Sequence, residues 1–460
     1  MEGTDVIEAI SAALPGAMFL SLVVGLFSGA PVAIMLMGVS LVFGLLAVWT
    51  GDMRPVHATL LPNRIFSGTI ENPVLVAAPM FIFMGVVMER TRIAEDLLIT
   101  LQRLMRAVPG GLALAVVLMG TILAAATGII GASVVMLTLL AVPTMLERGY
   151  DKGLSAGTVA SAGTLGILIP PSVMLVFMGD LLSVSLGRLF VAALIPGLAL
   201  SAVYVVYIVI RSALQPSLAP KAPPLSAEEA RGLWLETLKS VLAPLILIIA
   251  VLGSILAGIA TPTEASGVGA AAALLLGLVR GRLGMATLQA SMNGSIRQLA
   301  MLFFIFVGAT AFAYIFRKVG GEHFIVDTAR SLPLGDWGLL FAMMGMIFVM
   351  GFFFDWIEIT LIMLPIFAPI VPLLDLGGHV EPAQMIYWFA ILVSLNLQTS
   401  FLTPPFGFAL FYMKGAAGRM LSMRDIYRGV APFVMLQLVV LGIAIAWPDL
   451  VLWLPGKLMP

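Results

Sequence analysis

Residues 161–172 read Ser161-Ala162-Gly163-Thr164-Leu165-Gly166-Ile167-Leu168-Ile169-Pro170-Pro171-Ser172, and residues 396–407 read Asn396-Leu397-Gln398-Thr399-Ser400-Phe401-Leu402-Thr403-Pro404-Pro405-Phe406-Gly407. Each double proline lies inside an apolar run long enough to cross a bilayer, at 154–180 and 384–412. Proline lacks an N–H and its ring collides with the preceding turn, so a helix must open there. Carbonyls around 165–168 then lose their intrahelical donors. A hard cation such as sodium can take those oxygens, helped by the hydroxyls of Ser161, Thr164 or Ser172. The second stretch repeats the arrangement with Asn396, Gln398, Thr399, Ser400 and Thr403. The ends of the half-helices also present N-terminal dipoles to an anion.

Working outward, the surrounding chain belongs in lipid. Of its 460 residues 61% are hydrophobic and only 10% charged, with a mean hydropathy of +1.10. Soluble domains carry about 25% charged residues, so a water-soluble enzyme is excluded. Further spans are expected near 15–29, 31–50, 73–89, 187–211, 240–259, 262–280, 298–316 and 427–449, about ten in all with the two broken ones. Runs 112–147 and 337–374 are too long for one span and too short for two with a loop in water. Their midpoints hold small or polar residues: Thr127, Gly128, Gly131 and Ser133 in one, Gly351, Asp355 and Glu358 in the other. They read as re-entrant helical hairpins, because non-helical backbone at that depth survives only inside protein or beside a wet cavity. One long tilted helix or two tight spans is the competing reading.

The two halves match. Ser28-Gly29-Ala30-Pro31 corresponds to Ile259-Ala260-Thr261-Pro262, 231 residues on, and Pro170-Pro171 corresponds to Pro404-Pro405, 234 residues on. Five spans precede the proline-rich stretch 215–236 and five follow it, so the second half enters the membrane from the opposite face. Such inverted repeats with broken helices mark secondary transporters. The expected units are a tail at 1–14, a first repeat at 15–211, a linker at 212–239, a second repeat at 240–450 and a tail at 451–460. With both ends outside, segments 90–106, 148–152, 211–239, 280–297 and 414–428 fall inside and hold 17 of the 24 Lys and Arg. That bias orients the chain with both termini outside.

Other chemistries drop away. Lys+Arg and Asp+Glu are equal at 24, so no basic excess favours nucleic acid, and no cysteine is present. His57, His323 and His379 lie far apart, and no G-x-x-x-x-G-K loop cradles ATP. The first fifteen residues carry Glu2, Asp5 and Glu8 but no Lys or Arg, so the first apolar run is expected to remain as a span rather than act as a signal peptide. Buried acids need a reason. Glu264 reads as a cap for a helix beginning at Thr261 or Thr263. Asp355 reads either as a cation ligand or as the N-cap at the second hairpin tip, and Asp180 as the end of its span. Glu89, Arg90, Arg92, Glu95 and Asp96 read as the solvated face of an amphipathic arm.

At Asn72-Pro73-Val74-Leu75-Val76-Ala77-Ala78-Pro79-Met80-Phe81, Gly163 to Ser172, Gly258 to Ala265 and Leu402 to Gly407, the chain resembles the large membrane subunit of tripartite ATP-independent periplasmic (TRAP) transporters. These are elevator carriers of the ion-transporter superfamily, and the likeness runs from about residue 16 to 450. It implies an all-α polytopic protein of the bacterial inner membrane, with scaffold and transport domains, importing small organic anions, usually carboxylates, with sodium. It implies no cofactor beyond sodium as coupling ion. Two partners follow: a small four-helix membrane subunit, expected as a separate chain, and a periplasmic substrate-binding protein. Carried onto this sequence, the sodium sites fall on Gly128, Gly131, Ser133, Gly163, Thr164, Gly166, Gly351, Asp355, Thr399, Thr403 and Pro404. Substrate contacts are expected from Thr127, Ser133, Ser172, Asn396, Ser400 and Thr403. The first hairpin tip, Ala126-Thr127-Gly128-Ile129-Ile130-Gly131-Ala132-Ser133, carries fewer serines than many relatives have. A stand-alone sodium/dicarboxylate carrier of the same superfamily is the alternative. An intramembrane enzyme would need a catalytic constellation that is not visible, and a channel would leave the repeat unexplained.

Lys221→Cys and Arg424→Cys, made singly in this cysteine-free chain, are expected to react with an impermeant thiol reagent only from the cytoplasmic side. Labelling of position 221 from outside intact cells would overturn the inverted repeat.

Overall fold

The computed structural model describes residues 2–127, 130–221 and 232–459, and among these every regular element is helical. The first half runs α1 (Glu2–Leu26), α2 (Val32–Thr50), α3 (Ala77–Arg90), the arm α4 (Ile93–Leu104), a hairpin of α5 (Gly111–Thr127) and α6 (Ile130–Glu147), a broken helix of α7 (Lys152–Thr164) and α8 (Val173–Leu181), and α9 (Leu186–Leu214). The second half runs α10 (Ala243–Leu256), α11 (Pro262–Val279), α12 (Met285–Lys318), the arm α13 (Gly321–Ser331), a hairpin of α14 (Gly335–Met350) and α15 (Trp356–Phe367), a broken helix of α16 (Pro382–Leu402) and α17 (Phe408–Ala417), then α18 (Met423–Ala446) and α19 (Asp449–Leu458).

Local chemistry sets many of these limits. Helix α2 starts after Pro31 and stops at Gly51, whose φ of 89° is open to glycine without a Cβ penalty. Helix α11 starts at a capping box in which Thr261 and Glu264 satisfy each other's backbone N–H, with Pro262 at the first helical position. Glu264 is therefore a cap, as its position suggests. Among the described residues nine helices are long and apolar enough to cross a membrane. Expected spans 73–89 and 154–180 are not among them, since α3 has only 14 residues and the other run is split between α7 and α8. The second hairpin's arms have 16 and 12 residues. At 1.5 Å per residue these reach about 24 and 18 Å, short of a hydrocarbon core of about 30 Å.

Packing is reciprocal between the halves. Helix α2 packs on α12 while its counterpart α11 packs on α3, and α1–α2 is mirrored by α10–α11. Closing helix α18 packs on α7 of the first half, as α9 does on α16 of the second. Hairpin helix α6 touches α17, and α15 touches α8. Burial divides the bundle in two. Every residue of α7 from Gly153 to Thr164 is buried. Across its most apolar stretch α16 is 89% buried, against 28% for α1. The helices of the interior are the broken ones. Helices α1, α2, α10 and α11 expose large apolar side chains such as Leu20, Val24, Leu45, Ile249 and Leu275, the surface that lipid covers without cost.

Three expectations change. The tail at 1–14 is helical from Glu2 onward, as part of α1. The tail at 451–460 contains most of α19, which seats Val451, Leu452 and Pro455 on α9. The spacing of those three residues puts them on one face. The arm α4 is not wholly solvated: Asp96 pairs with Arg280 at 2.9 Å and Arg282 at 2.8 Å, beyond the end of α11. In the linker, Leu218 accepts a hydrogen bond from the Asp151 N–H and Glu236 pairs with Arg103 at 2.5 Å.

Helices α7 and α18 cross backbone against backbone. A Cβ on Gly429 would sit 2.0 Å from the Gly153 carbonyl oxygen, and one on Gly157 would sit 2.1 Å from that of Gly429. Gly429→Val is expected to destabilise the protein by at least about 1–3 kcal/mol through overpacking. A lowered unfolding temperature in detergent, absent from Gly442→Val where nothing lies within 4 Å, checks it.

Candidate functional site

The site begins with two missing donors. In an α-helix the N–H of residue 170 would reach the carbonyl of Gly166 and that of residue 171 the carbonyl of Ile167, but both residues are proline. Residues 165–167 accordingly tighten into a 3-10 turn. Of the carbonyls at 165–168, expected to be free, two are engaged. Leu165 accepts the N–H groups of Leu168 and Ile169, and Ile167 accepts the Ser172 hydroxyl at 2.8 Å. In the second break the Thr403 N–H turns back to the Ser400 carbonyl and that of Gly407 to the Thr403 carbonyl. Both Pro–Pro bonds are cis.

The two breaks meet. Gln398 donates from Nε2 to the Thr164 hydroxyl at 3.4 Å, and Thr164 donates to the Ser161 carbonyl at 3.0 Å. All three residues are fully buried. Beside this contact the Ser161 hydroxyl and the Gln398 side-chain carbonyl have no hydrogen-bond partner among the described residues. Buried polar atoms are almost always paired, and an unpaired one marks strain, water or an ion. Two oxygens lacking partners thus belong to residues linked through Thr164, and the Gly166 carbonyl of the same break has lost its helical donor to proline; oxygens of this kind suit a hard cation.

Close approach explains the glycines. A Cβ on Gly351 would lie 1.9 Å from the Ser400 hydroxyl, so the second hairpin tip rests directly on α16. A Cβ on Gly163 would meet the Val134 backbone and side chain of α6, and one on Gly131 would meet the Tyr412 ring of α17 at 2.9 Å. Gly166 is buried within the first break. Each hairpin thus touches a broken helix without room for a methyl group.

The expected site residues divide into groups. Thr164 joins Ser161 to Gln398. Thr399 donates to the Leu395 carbonyl, Ser400 to Leu397 and Thr403 to Thr399, each at 2.8 or 2.9 Å, so these hydroxyls close turns of their own helix. Asn396 instead reaches across to the Met344 carbonyl of α14 at 2.7 Å and ties the hairpin to the broken helix. Pro404 sets the second break. Ser133 is buried on α6 and lines a narrow crevice with Gly85, Glu89 and Gln298. Gly128 and the Thr127 side chain lie outside the described residues. Asp355 takes the structural role: it N-caps α15, accepting from the Trp356 N–H at 2.7 Å in a capping box with Glu358. Asp180 ends α8 and accepts from Asn72 at 2.5 Å, which explains that asparagine before Pro73.

Sequence reasoning missed Tyr412, whose contact with Gly131 crosses between halves. It placed Glu89 on a solvated face, but Glu89 is half-buried in the Ser133 crevice. Gln298, whose Oε1 lacks a partner among the described residues, had one signal: it is the amide at the head of an apolar span.

Residues 19–450 match the family described as "Tripartite ATP-independent periplasmic transporter, DctM component". A C4-dicarboxylate TRAP transporter large permease protein from Pseudomonas aeruginosa is 32% identical over 317 residues, covering 68% of this chain and 70% of that protein. The ectoine TRAP transporter large permease protein of Halomonas elongata is 26% identical over 313 residues, covering 68% and 70%. Among solved structures, the Alcanivorax borkumensis YdaH transporter aligns with a TM-score of 0.63 over 97% of this chain and 100% of that one. Its 14% identity makes this a likeness of fold.

Proposed function

This chain belongs to the family of the DctM component of tripartite ATP-independent periplasmic transporters, and on that premise we propose a sodium-driven importer of small organic anions. The protein is a transporter permease and not an enzyme, a multi-pass protein of the bacterial inner membrane. Its proposed coupling ion sits in the cradle of Ser161, Thr164, Gln398 and the Gly166 carbonyl, with counterpart positions at Thr399 and Thr403. The observation that carries this reading is the pair of buried oxygens without partners at the junction of the two breaks. A cation of the sodium type takes oxygen ligands, and burial there leaves those groups nothing else to bind.

The organic anion is assigned to the same junction, where half-helix N-termini favour negative charge. Ser133, Ser172, Asn396 and Ser400 are its proposed contacts. Relatives are named for C4-dicarboxylate and for ectoine; choice of the particular substrate is assigned to a periplasmic binding protein, which with a small membrane subunit completes the proposed assembly. The split of Lys and Arg supports termini on the periplasmic side. For motion we propose an elevator, in which hairpins and broken helices travel together against a scaffold of α1, α2, α10 and α11. The exposed apolar faces of those four helices and the burial of α7 and α16 favour this division.

Uptake into proteoliposomes, supplied with a small subunit and a binding protein of a TRAP system, is expected to follow an imposed sodium gradient without ATP. Thr164→Val keeps the shape but removes an oxygen, and should raise the sodium concentration for half-maximal rate several-fold. Undiminished uptake with potassium in place of sodium would sink the assignment, and uptake without any binding protein would favour the stand-alone carrier. For motion, spin labels at positions 139 and 411, both exposed, should shift together relative to one at position 259 as sodium is added. Constant distances from position 259 to both labels during active transport would rule the elevator out.

A further inference from the structure

Two contacts show how far the hairpins have travelled across the membrane. The second hairpin enters from the side of the arm α13, yet the residues at its tip reach the turn between α1 and α2 on the opposite side. There the Phe27 ring lies 5.2 Å from that of Phe353 at 76°, and 5.8 Å from that of Phe354 at 62°. On the proposed orientation this turn is cytoplasmic. The first hairpin lies toward the same side. Ser133, near its tip, lines a crevice with Glu89, the last residue but one of α3, next to Arg90. Both tips therefore stand at the cytoplasmic ends of the helices they face.

The repeat predicts a matching contact on the other face, between the first hairpin tip and the turn joining α10 to α11. That contact is not made. At the 231-residue offset Phe27 corresponds to Gly258, whose φ of 67° lies in the left-handed region that favours glycine. Nothing stands within 4 Å of where its Cβ would be, and the adjoining Ile259 is 81% exposed. The hairpins differ in the same sense. Residues 112–147 contain no Phe, Tyr or Trp, whereas Phe348, Phe352, Phe353, Phe354 and Trp356 crowd the tip of the second hairpin. Rings lost on one face have no rings to meet on the other.

Edge-to-face aromatic pairs at these separations are attractive beyond the apolar area they bury. The contact is also continuous with the second break. Phe353 meets Phe406, the residue after Pro404-Pro405, at 5.4 Å. A line of rings thus runs from the scaffold through the hairpin tip to the broken helix. Phe27 and Phe353 remain 57% and 40% exposed, so they join surfaces rather than fill a core.

We propose that Phe27, Phe353 and Phe354 form an aromatic latch that holds the hairpins and broken helices on the cytoplasmic side, with no counterpart on the periplasmic side. The latch rests on the elevator reading given above. Its consequence is a biased carrier. The empty protein rests with its site toward the cytoplasm, and its return outward breaks ring contacts that nothing at Gly258 replaces. The bias belongs to the scaffold residue as much as to the moving hairpin, because alternating access between two repeats is symmetric unless their contacts differ.

The test reads the distance between spin labels at positions 139, on the first hairpin, and 259, on the outer turn, both exposed, in the reconstituted full chain without sodium. The wild type should show mainly a long distance. Phe27→Ala should populate a shorter one and raise its share relative to the long one by about tenfold. Phe353→Leu should act in the same direction, and Phe27→Tyr, which keeps the ring, should resemble the wild type. Combining Phe27→Ala with Phe353→Leu should shift the populations by less than the two single effects together, since both break one contact. A distance that responds to sodium but is the same in wild type and Phe27→Ala would overturn the latch and leave the elevator standing. A distance that neither sodium nor substitution changes would remove the elevator reading and the latch with it.

Discussion

The hydrocarbon interior of a membrane offers no water to a peptide group, so each N–H and C=O within it must find its partner in protein. Two double prolines break that condition at matching places in the chain, and much of the architecture answers the break. The first tightens into a 3-10 turn and borrows the Ser172 hydroxyl; the second turns the Thr403 and Gly407 N–H groups back on preceding carbonyls. Helices α7 and α16, which lead into the breaks, are enclosed by others on every side. The hairpins arrive with glycine at the points of contact, because a methyl group would hold the broken backbone away from its cover. Of the nine buried side-chain atoms without a hydrogen-bond partner among the described residues, six are oxygens, and two of those belong to Ser161 and Gln398 beside the breaks.

Charge plays a different part. The acids of the membrane segments are mostly helix caps: Glu264, Asp355 and Asp180 each satisfy a terminus or a neighbouring amide. Ion pairs gather at the periphery, where Asp96 fastens the arm α4 to the end of α11 and Glu236 fastens the linker to the same arm. The exposed Arg103–Glu236 pair contributes little stability. The value of these pairs is positional, since they fix the arms on which the hairpins hang.

How much of this was legible follows from the range of each signal. Proline acts on its own turn, so both breaks and their spacing could be read from residues 170–171 and 404–405 alone. The Thr261–Glu264 box spans three residues and was legible for the same reason. The Asp355 box has the same spacing, but the acid's depth in an apolar run allowed a second role. Contacts between halves were not legible. Gly131 against Tyr412 and Gln398 against Thr164 join residues more than 200 positions apart, and a single sequence carries no pattern for such a pair. Helix α19 was passed over because ten residues after a long span look like a tail until α9 is known to lie beside them. Glu89 failed through its neighbours: acids and arginines at 89–96 average to a solvated face, although one of them turns into a crevice.

The crossing of α7 and α18 ties the two halves of the chain to each other mechanically. Gly153 and Gly157 come from the first half and Gly429 from the second, and neither helix can gain a side chain at the crossing unless the other retreats. Because each half rests on the other in this way, a change in either at the crossing has to be tolerated by the other. At this point the two halves form one surface. Separate expression of the two halves would therefore leave each with a seam of bare backbone shaped for a partner it no longer has.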